Sequence, residues 1–222
     1  MKRYGKLFEQ IIDINNLLLA HSNARKNKTF YKEVKMVDGN PKYYCQEIQK
    51  MLINKTYKVS NYEVFEKIDK GKTRLISKLP YYPDRIIQWA VLQIIGPIFE
   101  KMFIYDTYSS IPNRGIHFGL KRVKEALKDE YNTKYCLKLD IKQYYPSINH
   151  KILKDKLRRK FKDKDLLWLL DLIIDSFYKG IPIGNYLSQY FANYYLTEFD
   201  RYCKQTLHIK YYFRYMDDIV IL

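Results

Sequence analysis

The sequence predicts an α+β fold on three observations. Apolar residues recur at helical spacing along most of the chain, two β-hairpin signals stand among these helices, and the second hairpin, with a short strand before it, carries carboxylates. The expected order is a helical and hairpin part over residues 1–134, then a part over 135–222 in which helices flank a small antiparallel sheet.

Within residues 6–20, Leu7, Ile11, Ile14, Leu17 and Leu18 mark one helical face. Residues 22–40 are polar and basic, and Asp38-Gly39-Asn40-Pro41 reads as a turn. A short helix fits 41–53. Residues 62–68 alternate like a strand, 69–72 supply turn chemistry and 73–77 a second strand, giving a hairpin with a cationic tip. Residues 84–101 form an apolar helix with Asp84 as its N-cap after Pro83, and 115–131 another. Residues 135–141 are a short strand ending on Asp140 and Ile141; helices follow at 149–160 and 164–177. A tight loop at 180–184 precedes a helix at 186–206. The chain closes on a strand at 209–213, a turn at 215–218 and a return strand from Ile219.

With 222 residues the chain is long enough for one or two cored domains. A hydrophobic share of 47% excludes a disordered basic tail. No apolar run approaches the roughly 18 residues of a membrane span, and polar residues from Glu9 to Asn16 interrupt any signal-peptide core. The expectation is a cytoplasmic protein with no membrane partner. Cys45, Cys136 and Cys203 are too far apart for zinc spacing and fit reduced thiols. His21, His117, His150 and His208 share no metal or triad spacing and are expected in surface or structural roles. The net charge of +16 points to a polyanion, and 23 tyrosines, many beside lysines, suit base stacking along a phosphate backbone. Arg25, Lys26, Lys28, Lys32 and Lys35 fit an RNA-contacting segment; a solvated loop fits them equally.

Asp140 follows an apolar strand, and Asp217 and Asp218 lie between two apolar strands. Adjacent carboxylates at a hairpin tip repel, and a divalent cation removes that repulsion; Mg²⁺ takes one or two carboxylates with phosphates and water. Two such ions about 3.5–4 Å apart serve in-line phosphoryl chemistry. The alternative is that Asp-Asp simply makes a turn.

The flanks decide between these. Phe213-Arg214-Tyr215-Met216-Asp217-Asp218-Ile219-Val220 looks like the polymerase hairpin of reverse transcriptases, and Leu139-Asp140-Ile141-Lys142-Gln143-Tyr144-Tyr145-Pro146-Ser147-Ile148 resembles their first catalytic motif. Gly180 to Gln189 resembles the motif between them; Lys72 to Ile76, Pro80, and Asp84 to Gln88 look like the fingers motifs. The resemblance implies right-hand polymerase fingers and a partial palm, with 1–134 as N-terminal extension and fingers and 135–222 as palm. No thumb fits after Leu222, so the expectation is a fragment or a chain completed by a partner. Ile183 and Ser188-Gln189 stand where many relatives have Gln and Ser-Pro, which is most similar to bacterial and phage enzymes of diversity-generating retroelements, with retron and defence-associated enzymes next.

The resemblance also implies residue roles. Asp140, Asp217 and Asp218 are the catalytic and metal-binding triad, joined by the Ile141 carbonyl, around two Mg²⁺ ions, with Mn²⁺ as a substitute. Lys72 and Arg74 bind the dNTP triphosphate, or are a solvated hairpin tip. Tyr145 is a gate against the ribose 2′-hydroxyl, or ordinary packing. Ile183 and Gly184 lie against the nascent base pair, and Ser188, Gln189, Tyr215 and Met216 against template or primer. Arg85 orders the fingers. The partners implied are template RNA, a primer, dNTP and an accessory protein of a retroelement, in a bacterial or phage setting. A non-catalytic nucleic-acid-binding remnant and a template-independent palm nucleotidyltransferase are the rival functions.

Overall fold

The computed structural model describes residues 3–69 and 71–222, without the side chains of Asp69 and Lys72. In chain order the elements are α1 (Phe8–Ile11), α2 (Ile14–Ala24), α3 (Lys32–Gly39), α4 (Pro41–Ile53), β1 (Glu63–Asp69), β2 (Lys72–Lys78), α5 (Ile86–Glu100), β3 (Thr107–Tyr108), α6 (Ile116–Ala126), β4 (Leu137–Leu139), α7 (Tyr144–Ser147), α8 (His150–Lys160), α9 (Lys164–Asp175), α10 (Tyr186–Tyr195), α11 (Thr197–Arg201), β5 (Tyr212–Tyr215) and β6 (Asp218–Ile221). The fold is α+β. None of the helices described is long and apolar enough to cross a membrane.

Two compact units emerge: Met1–Pro97 with Asn149–Ser188, and Ile98–Ile148 with Gln189–Leu222. In the first, α2 packs on α4, and Ile11, Leu17, Ala20, Ile48 and Leu52 are fully buried. The apolar periodicity of residues 6–20 is split in two because Asp13 leaves helical geometry (ψ 134°) and caps α2, accepting from the N–H groups of Asn15 and Asn16. Asn40 and Pro41 start α4 as cap and first-turn proline, so its limits match the sequence reading. Helix α3 lies in the stretch read as polar and basic; its buried Val34 and Val37 are too few to give a visible stripe.

Asp84 is not a helix cap. Its fully buried carboxylate accepts the Tyr57 hydroxyl at 2.7 Å and the Ser60 N–H at 3.1 Å, within an irregular turn containing a cis Tyr82–Pro83 bond. Burial and the Asp84 charge push the Tyr57 hydroxyl far above its ordinary pKa, so it remains a donor. Histidines 21 and 150 fill the structural roles expected of them. His21 is buried between the Tyr81 hydroxyl and Asp38, and His150 meets the Gly180 carbonyl.

In the second unit the strand order is β3-β5-β6-β4. The sheet is mixed rather than wholly antiparallel: β3, a strand too short to read from pattern, pairs parallel with β5, while β5–β6 and β6–β4 are antiparallel. Strand alternation sorts its side chains. Phe213 and Val220 pack with Tyr108, Phe118 and Ala126 on one face; Tyr212, Ile219 and Ile221 pack with Cys203 on the other. The expected helix at 186–206 is broken after Tyr195 and again after Arg201, where a wider turn covers Tyr202–Thr206.

Candidate active site

The site in the second unit is built by register. Leu139 pairs with Ile219 across β4 and β6; Asp140 is the residue that follows Leu139, and Asp218, which precedes Ile219, begins β6. Tyr215 pairs with Asp218 on the other side of β6. Because paired residues share a face, Asp218 and Tyr215 lie side by side, and Asp140, Asp218 and Tyr215 are all exposed.

Met216 and Asp217 are the two central residues of the β5–β6 turn. Met216 has φ +59°, an unusual value for a residue with a side chain, at the first central position where hairpin turns favour glycine. Two contacts hold it there. Arg214 donates from Nη1 to the Met216 carbonyl at 2.9 Å, and the Tyr145 hydroxyl meets the Met216 sulfur at 3.7 Å. Tyr145 thus stands beside the acidic turn, its ring edge-on to Tyr144, whose hydroxyl is anchored on the Ala192 carbonyl at 2.7 Å. Gln143, with φ +50°, turns the chain from Asp140 into α7.

Arg214 was not singled out by sequence reasoning, yet it is the largest fully buried side chain of the described residues. It donates to Asp200, to the Asn193 side chain and carbonyl, and to Met216. The signal was available. Arg214 shares strand parity with core-facing Tyr212, where an isolated charge is costly and demands a buried partner.

The remaining candidates lie in the first unit or on α10. Arg74 is exposed on β2, set by register opposite Lys67, and the Lys72 side chain lies outside the described residues. The Ile183 carbonyl accepts the Ser77 N–H at 2.8 Å, so the 180–184 loop docks on β2. Gly184 has φ +121°, and a Cβ there would lie 3.0 Å from the Ser77 carbonyl oxygen. Its close backbone approach is therefore to the hairpin strand. Ser188 is buried in α10 and Gln189 half-buried.

Among the described residues, no three His, Cys, Asp or Glu side chains are gathered closely enough to hold a metal ion. The donor chemistry nonetheless fits Mg²⁺, which is commonly held by one or two carboxylates and completed by phosphate and water. Asp140 and Asp218 supply that number of exposed oxygen donors beside the Leu139–Ile219 pair, with Asp217 at the adjoining turn.

Residues 53–222 match the family described as reverse transcriptase (RNA-dependent DNA polymerase), and the chain belongs to that family. It is 30% identical over 153 residues to Protein YkfC of Escherichia coli (strain K12), covering 64% of this chain and 39% of that protein. It is 27% identical over 173 residues to the Group II intron-encoded protein LtrA of Lactococcus lactis subsp. cremoris, covering 73% of this chain and 26% of that one. The fold is also similar to a chain of a solved Cas6-RT-Cas1--Cas2 complex, with TM-score 0.56 and 22% identity over 97% of this chain and 38% of the other. The chain thus spans less than half the length of these curated relatives.

Proposed function

We propose that the chain is a fingers-and-palm portion of an RNA-directed DNA polymerase, with 1–134 as N-terminal extension and fingers and 135–222 as palm. The primer 3′-hydroxyl attacks the α-phosphorus of a dNTP, a phosphodiester forms, and pyrophosphate leaves. The observation that carries this reading is that Asp140 and Asp218 adjoin the Leu139–Ile219 pair that ends the β4–β6 ladder, with Asp217 at the adjoining turn, in a member of the reverse transcriptase family.

Asp140, Asp217 and Asp218, with the Ile141 carbonyl, are the groups that would hold two Mg²⁺ or Mn²⁺ ions. When bound, such ions neutralise phosphate charge and acidify the attacking hydroxyl. The other roles belong to the chain's own residues. Lys72 and Arg74 bind the triphosphate, Arg through its fork and Lys as a point charge. The Tyr145 ring blocks a 2′-hydroxyl. Ile183 and Gly184 shape the loop that meets the nascent pair, while Ser188, Gln189, Tyr215 and Met216 contact template or primer. Ile183 and Ser188-Gln189 favour a diversity-generating retroelement enzyme, acting in the cytoplasm of a bacterium or phage host with an accessory protein.

Primer extension by the chain supplied with a thumb-bearing partner protein tests this, with RNA template, without template, and with Asp140→Asn or Asp217→Asn; the chain alone is expected to extend primers poorly or not at all. Template-dependent dNTP incorporation, lost in both variants with RNA binding retained, is the expected result. Incorporation independent of template would move the reading to a palm nucleotidyltransferase. RNA binding with no incorporation in any protein would leave a nucleic-acid-binding module.

A further inference from the structure

A second cationic feature lies wholly within the first unit. A cavity of about 340 Å³ opens between the α3 start and the segment that follows β2, with Lys28, Tyr31, Lys32, Lys78, Tyr81 and Arg85 on its wall. Its two acidic residues are already engaged. Glu33 accepts the Tyr81 N–H at 2.6 Å, and Glu63 pairs with Lys78 at 3.2 Å. Lys28 and Arg85 are half-buried, and neither side chain makes a hydrogen bond or ion pair among the described residues.

We propose that this cavity is a phosphate-binding site centred on Lys28 and Arg85. A guanidinium fork beside an ammonium point charge matches a tetrahedral dianion or a diester oxygen pair, and hydrogen bonds between ionised partners are the strong ones. The Arg85 charge opposes that of Lys28, and although the Glu33 charge favours ionised Arg85, an anion between the two cations offsets their repulsion. Burial lowers the pKa of both groups, and the Arg85 charge lowers that of Lys28 further. The rim explains which phosphates would enter. Phe30 and Tyr31 pack on each other with ring centroids 4.5 Å apart, yet remain 67% and 43% exposed. An exposed aromatic pair beside an anion pocket suits a nucleotide whose base stacks while its phosphate is held. The ligand class is therefore a nucleotide phosphate, either internal to a single strand or at a free end. The site stands independently of polymerase activity, since it does not include Asp140, Asp217 or Asp218.

The test is binding, not synthesis. Fluorescently labelled single-stranded RNA and, separately, inorganic phosphate and AMP are titrated against the whole chain, against Lys28→Gln and Arg85→Gln, and against Lys121→Gln, an exposed lysine of the other unit. Each pocket variant should weaken RNA binding about tenfold and flatten its salt dependence by about one counterion. Lys121→Gln should do much less. Weakened binding of RNA, phosphate and AMP alike supports a site open to free phosphate; weakened binding of RNA alone supports one for internal diesters. Lys28→Arg should rescue Lys28→Gln. Should Arg85→Gln fail to fold, Lys28→Gln decides. RNA and phosphate binding by a folded Lys28→Gln equal to that of the parent would overturn the proposal.

Discussion

Arg214 and Asp200 form a fully buried ion pair, Nε to Oδ1 at 2.7 Å and Nη2 to Oδ2 at 2.6 Å, and the same guanidinium holds the Met216 carbonyl at the acidic turn. The Tyr212 hydroxyl adds a third donor to Asp200 at 2.7 Å. Burial opposes the Arg214 charge, but its bonds to Asp200 and that residue's charge outweigh the penalty, so the guanidinium pKa is raised. A buried charge that loses its partner typically costs about 3–5 kcal/mol. Asp200→Asn should therefore lower the urea midpoint of the second unit sharply. Arg214→Lys should do nearly as much harm, because an ammonium cannot replace five guanidinium bonds to Asp200, Asn193 and Met216. Unchanged midpoints in both variants would remove this pair as the support of the turn.

Asp140 and Asp218 make the opposite prediction. They adjoin the Leu139–Ile219 pair at the end of the β4–β6 ladder, and like charges facing one another across a strand pair destabilise it, within the ~0.2–1 kcal/mol range of cross-strand effects. Both residues are exposed. Asp218→Asn should thus be neutral or stabilising by about that amount in chelator-treated protein, while lowering any template-dependent incorporation. Destabilisation by the amide would mean that Asp218 serves the fold rather than the chemistry.

Tyr145 separates ring from hydroxyl. Tyr145→Phe loses the contact to the Met216 sulfur, 3.7 Å in the parent, but keeps the ring. It should preserve discrimination between dNTP and rNTP, whereas Tyr145→Ala should lose it. Equal discrimination in all three proteins would assign Tyr145 to packing.

Gly184→Ala should destabilise the first unit. Its φ of +121° belongs to a region essentially restricted to glycine, and a Cβ would meet the Ser77 carbonyl oxygen at 3.0 Å. The strain alone is about 1–3 kcal/mol, and the contact adds to it because a strand carbonyl cannot swing away. A thermal midpoint within error of the parent would show that the loop does not need its dock on β2.

The legible parts of the fold were those with strong local chemistry. The turn read at Asp38 to Pro41 ends where α4 begins, and the turn residues between β1 and β2 announced the hairpin. The strands beside Asp140 and Asp217-Asp218 were legible because these carboxylates end or interrupt apolar runs that must pair somewhere. What failed was local reading of residues whose partners are distant. Asp84 looks like a cap in sequence, but Tyr57 and Ser60 claim its carboxylate from 24 or more residues away. Arg214 looks like a surface charge until Asp200 and Asn193 are brought beneath it. The Lys28–Arg85 cavity joins two segments over fifty residues apart, and no period or motif links them.

Asp163 offers a prediction in which pH isolates one carboxylate. Its Oδ2 accepts the N–H groups of Leu7 and Phe8 at 2.7 and 3.0 Å, and its Oδ1 accepts that of Leu166 at 3.2 Å. It therefore caps α9 and fastens the α1 segment to it. Burial works against the charged form, but the backbone donors prevail and hold its pKa below the ordinary carboxylate range. With the folded value depressed, the unfolded chain binds the proton more readily. The stabilisation is then complete above the unfolded value near ~3.9 and disappears as pH falls through the folded one. Asp163→Asn retains one acceptor for Leu166 but can turn an amide donor toward the Leu7 and Phe8 N–H groups. It should cost about 1–2 kcal/mol at pH 7. The gap between parent and variant should hold constant from pH 7 to 5 and narrow below pH 4. Paired urea denaturation at pH 7, 5 and 3 measures it. A gap that stays constant down to pH 3 would mean that Asp163 ionises alike in both states, and that its backbone donors do not favour the charge.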